Sequence, residues 1–78
     1  MLTGDLKQRV EELGLRESSY HIGSFPPNDV YVIEESDGLW YFYYNERGMR
    51  VEETPCATEE SACEYLLERL SGDPSCKK

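Results

Sequence analysis

The stretch GLWYFYYNERGMR, Gly38 to Arg50, decides the fold. Trp40 to Tyr44 are all aromatic, a composition enriched in strands, and Asn-Glu-Arg-Gly then closes the run. On a strand, alternation sends Trp40, Phe42 and Tyr44 to one face and Leu39, Tyr41 and Tyr43 to the other. Gly48 is placed to take the positive φ of a type I turn plus bulge, which reverses the chain into MRVEET. Working backwards, VYVIE from Val30 is β-branched and aromatic, and Asp37-Gly38 supplies a hairpin turn. Pro55 is expected to end the third strand.

Helices flank this meander. Leu6, Val10 and Leu13 share one face of a helix over 3–13, with Thr3 as N-cap and Asp5 in the first turn. Gly14 suits the left-handed position past its end, and Leu15 then folds back on the last turn. Thr58 caps a second helix, whose apolar stripe is Ala62, Cys63, Leu66, Leu67 and Leu70, with Glu60, Glu64 and Glu68 opposite. Gly72 and Pro74 stop it, leaving residues 73–78 as a flexible C-terminal tail.

The prediction is one α+β domain over 1–72, two-layered, with a three-stranded antiparallel meander between an N-terminal and a C-terminal helix, order αβββα. Tyr20 and Ile22 alternate with His21 and leave room for a fourth, edge strand, ended by Gly23 and Pro26-Pro27. Both helices are expected over Trp40, Phe42 and Tyr44, since Trp and Phe lose most if left in water. Leu39, Tyr41 and Tyr43 would stand on the open face.

Composition narrows the function. The chain is 38% hydrophobic, too apolar for disorder at 31% charged. No apolar run approaches a membrane span and the N-terminus lacks a signal peptide's regions, so a cytoplasmic protein is expected. The net charge of −8 disfavours nucleic acid and favours a basic protein partner. Cys56, Cys63 and Cys76 match neither a disulfide framework nor a zinc pattern, so reduced thiols and no metal are expected. Cys63, on the apolar stripe, reads as a small core hydrophobe.

Nothing marks an enzyme. His21 is the lone imidazole, with no nucleophile motif near it. Glu34-Glu35 and Glu52-Glu53 are adjacent on strands and cannot converge, while Glu59-Glu60 is explained by the helix start. The isolated glycines make no phosphate loop, and no cofactor is expected. Tyr41 and Tyr43 remain, bordered by Glu34 or Glu35, Glu52 and Glu53: either a contact face that steers a basic partner onto tyrosine anchors, or a solvated sheet. Arg47 and Arg50, beside Glu46, are either a charge cluster at the turn or part of the same contact surface. An exposed strand edge leaves the choice between monomer and weak homodimer open.

The motifs WYFYYNERG, Trp40 to Gly48, and EESACEYLLERL, Glu59 to Leu70, resemble small bacterial immunity proteins of polymorphic toxin and contact-dependent inhibition systems. The resemblance spans roughly residues 20–70. It implies a non-catalytic inhibitor that binds a co-encoded toxin domain, commonly a basic nuclease, and covers its active site. Trp40, Glu46, Arg47 and Gly48 are then core and turn residues, and toxin contacts could lie on the loop Ser24 to Asp29. The alternative is a small acidic adaptor or regulatory subunit docking on a larger enzyme.

Overall fold

In the computed structural model, which describes residues 2–77, the chain runs α1 (Thr3–Glu12), β1 (Tyr20–Ile22), β2 (Val30–Ser36), β3 (Leu39–Glu46), β4 (Met49–Cys56) and α2 (Glu59–Gly72). Short 3-10 turns lie at Glu17–Ser19 and Pro74–Cys76. The fold is α+β, with one four-stranded sheet in the order β1-β2-β3-β4.

The aromatic stretch becomes β3, an inner strand paired on both sides. Asp37 and Gly38 both adopt left-handed backbone, φ 51° and 81°, the requirement of the two-residue turn that joins twisted strands. Arg47 and Gly48 do the same, at 51° and 85°, and Glu46 pairs directly with Met49. The second turn is therefore also a two-residue turn, not the expected type I turn plus bulge. The bulge sits further along, where Phe42 pairs with Thr54 but Tyr44 pairs with Val51, leaving Glu52 and Glu53 opposite Tyr43 alone. Glu52 takes φ 56° to make it.

Two expectations about the strands need correction. The sheet is mixed, because β1 pairs parallel to β2, Tyr20 beside Tyr31 and Ile22 beside Ile33. Residues 23–29 carry the chain back to the start of β2 instead of reversing it in a hairpin, and three residues of strand are short enough for so brief a return. Pro55 does not end the last strand, which runs to Cys56. β4 is a sheet edge, where a residue without an N–H is tolerated.

The core lies between α2 and the sheet. Phe42 is fully buried at its centre, with the Tyr31 ring 5.9 Å away and Tyr65 from α2 edge-on at 4.7 Å. Leu6 and Val10 from α1, Ile33 and Cys56 from the sheet, and Ala62, Cys63, Leu66 and Leu70 from α2 complete it, with α1 packed alongside α2. Trp40 and Tyr44 share this face, half-buried. Gly14, φ 69°, ends α1 as expected: its N–H donates to the Glu11 carbonyl, the Leu15 N–H reaches back to Val10 at 3.0 Å, and Leu15 is buried.

Thr3 is not the cap of α1, which starts at Thr3 with Leu2 in the cap position. The Thr3 N–H and hydroxyl donate to the Glu59 carboxylate at 2.8 and 3.1 Å, tying the helix starts together. Residues 73–77 are not a loose tail. Cys76 is buried in the core, the Arg16 N–H donates to its carbonyl at 2.6 Å, Leu15 bridges to Lys77, and the Tyr31 hydroxyl donates to Asp73 at 3.0 Å. The folded unit thus extends past 72, and positions 1 and 78 lie outside the described residues.

Candidate functional site

The open face of the sheet carries its own small core. Val30, Val32 and Tyr43 pack together there, and Tyr43 is only 2% exposed. Tyr43 is pinned from above by Arg50, whose guanidinium carbon lies 4.4 Å from the ring centre. The same guanidinium pairs with Glu34 at 2.5 Å and Glu53 at 2.6 Å. Burial, with the Glu34 carboxylate next, raises the Tyr43 hydroxyl above its ordinary value, so the ring stays neutral. Tyr43 is therefore a packed structural residue and not an exposed anchor.

The other expected residues scatter. Tyr41 is half-buried between Glu34 and Pro55 in the register. Glu35 is exposed and faces Trp40, on the helix side of the sheet. Glu52 is swung by the bulge to Arg69 on α2, at 2.5 Å, while Glu53 stays on the open face with Arg50. Arg47 is exposed at the β3–β4 turn. The structure therefore gathers Tyr43, Glu34, Glu53 and Arg50, and separates Glu35, Glu52 and Arg47 from them.

A groove of about 430 Å³ opens beside this cluster, floored by Tyr43 and Asn45 and walled by Glu34, Arg50 and the loop around Ser24, Phe25 and Pro26. The loop is held at several points. Asn45, 5% exposed, donates its amide to the Pro27 carbonyl at 2.8 Å and reaches Pro26 at 3.4 Å. The Asp29 N–H donates to the Asn45 carbonyl at 2.6 Å. His21 Nε2 lies 3.1 Å from the Ser24 carbonyl and must be the donor, since a carbonyl only accepts.

Phe25 projects from this loop. It is 96% exposed and has left-handed backbone, φ 58°. An aromatic residue there costs on the order of 1 kcal/mol of strain, and leaving the ring in water forgoes roughly 2 kcal/mol of burial. Met49, 70% exposed, begins β4 directly after Gly48, another residue of the groove. Neither was singled out from the sequence. No local signal announces Phe25, since a residue before proline favours extended backbone and not the left-handed region it adopts.

The chain matches no family model, no curated protein and no solved structure. The site must therefore be read from its own chemistry. Among the described residues no group of three or more His, Cys, Asp or Glu is placed to hold a metal ion, and no helix is long and apolar enough to cross a membrane. The groove offers one paired carboxylate, a paired guanidinium and an amide already satisfied by the loop. Such groups are committed to holding the loop and Tyr43, and Phe25 and Pro26 add apolar surface at the groove's edge.

Proposed function

We propose that this protein acts by stoichiometric binding and not by catalysis, as an immunity-type protein of the cytoplasm that neutralises a basic toxin domain, a nuclease in the first instance, by covering its active site. Charge carries the reading. The excess of eight acidic residues leaves Glu35, Asp37, Glu46, Glu64 and Glu68 exposed, while Arg50 and Arg69 are drawn into ion pairs within the chain. A surface of this kind raises the encounter rate with a basic partner and repels nucleic acid competing for the same groove. The motifs from Trp40 to Gly48 and Glu59 to Leu70 supply the immunity part of the proposal.

The test is affinity capture of the tagged protein from its own cells with elution in rising salt. A single basic protein in equimolar amount, released only at high salt and inhibited by the purified chain, is the expected result. A neutral metabolic enzyme would replace the toxin reading by the adaptor one, and recovery of no partner would overturn both.

A further inference from the structure

The chain holds several non-glycine residues in left-handed backbone, and all but one have a structural reason. Asp37 and Arg47 occupy the two tight turns, and Glu52 makes the bulge that sends its carboxylate to Arg69. Asp29 is of a type that tolerates this region, and its N–H ties the loop to Asn45. Phe25 has no such explanation: its ring joins neither core cluster, and the loop is anchored through Ser24, Pro26, Pro27 and Asp29, not through Phe25 itself.

We infer that Phe25 is the anchor through which this protein docks on its partner, its ring entering an apolar pocket on a basic protein surface. The inference rests on the binding role proposed above and names its surface. Phe25 borders the groove, whose wall carries Glu34 and Arg50, with the exposed Glu53 held on the same face by Arg50. Apolar anchors surrounded by charge are the usual anatomy of an interface, and the net charge of −8 selects a basic partner for it. Rigidity adds to the case. A ring presented by a loop already fixed by Asn45 and His21 loses little freedom when it binds. The tyrosine face expected from the sequence is not the contact, because Tyr43 is buried beneath Arg50 and Tyr41 is half-buried.

The experiment replaces Phe25 by the photo-crosslinking residue p-benzoylphenylalanine in the full chain, in its own cells, with the exposed Leu13, just past the end of α1, as the control position. A covalent adduct to one basic protein from position 25 and none from position 13 is expected. With that protein purified, Phe25→Ala should weaken binding by tenfold or more without lowering the melting temperature, whereas Met49→Ala, on the other face of the sheet, and Tyr41→Ala leave affinity unchanged. If capture with the unmodified chain yields the basic partner but position 25 gives no adduct, or Phe25→Ala binds normally, the surface is wrong and the binding role stands. If the unmodified chain captures no basic partner, the binding role fails and this inference with it.

Discussion

Glu34 and Arg50 form an ion pair between unequal environments: the Glu34 side chain is 9% exposed and that of Arg50 is 47% exposed. The carboxylate was taken out of water when β2 packed under the loop, and the guanidinium covers it while also pairing with Glu53 and lying over Tyr43. A buried charge is stable only with its partner in place, so the two ends of this pair are not equivalent on removal.

Arg50→Ala should therefore destabilise the protein by about 2 kcal/mol, a figure reduced from that of a fully buried pair because Arg50 is half in solvent. Adding Glu34→Gln to that variant should recover part of the loss, since the orphaned charge is gone. Urea unfolding of the single and double variants measures both, and a double variant less stable than Arg50→Ala would contradict the account.

The Tyr31 hydroxyl is pushed up to about 12 from an ordinary 10.0, first by burial and then by its hydrogen bond to Asp73. The folded protein keeps this proton where the unfolded chain has lost it, so folded binds more protons and stability falls as pH rises through that window. Tyr20, Tyr43 and Tyr44 are raised in the same direction, burial being the first cause in each. Stability should decline between about pH 10 and 12, and thermal melts should show a shallower decline for Tyr31→Phe. An equal slope in that variant would remove Tyr31 from the explanation.

All three cysteines are buried, and burial, with Glu59 next, pushes the Cys63 thiol up to about 11. Burial also raises Cys56. A thiol that is both neutral and covered reacts slowly. Alkylation by iodoacetamide at neutral pH should be slow at each position in native protein and become rapid in denaturant, as mass spectrometry of timed samples would show. Fast native labelling at Cys63 would mean that α2 is not seated as described.

Deleting residues 74–78 removes the buried Cys76 side chain and the carbonyl that accepts from the Arg16 N–H. The loss should be on the order of 1–2 kcal/mol, visible as a lower urea midpoint. A deletion variant as stable as the full chain would restore these residues to the status of a tail.

Much of the architecture was legible because it depends on local rules. Alternation alone sorted Phe42 from Tyr43, the i, i+4 pattern placed Leu6 and Val10, and Gly14 announced the helix end that Leu15 completes. Which aromatic rings stand exposed was not legible, because Tyr43 and Phe25 exchange the exposures their surroundings in the sequence suggest. Tyr43 is covered by Arg50, brought in by a neighbouring strand, and Phe25 is uncovered because its loop is anchored by Asn45, eighteen residues from Pro27.

The sequence by itself determined the element types, their approximate limits, the positions of the hairpin turns and the acidic surface, since each follows from residue chemistry within a few positions. Only the tertiary structure decided that β1 runs parallel, that the bulge parts Glu52 from Glu53, that the C-terminal residues pack on Leu15 and Arg16, and that Phe25 stands free. These depend on pairings between residues distant in sequence, where a one-residue shift in register or a buried amide outweighs local preference.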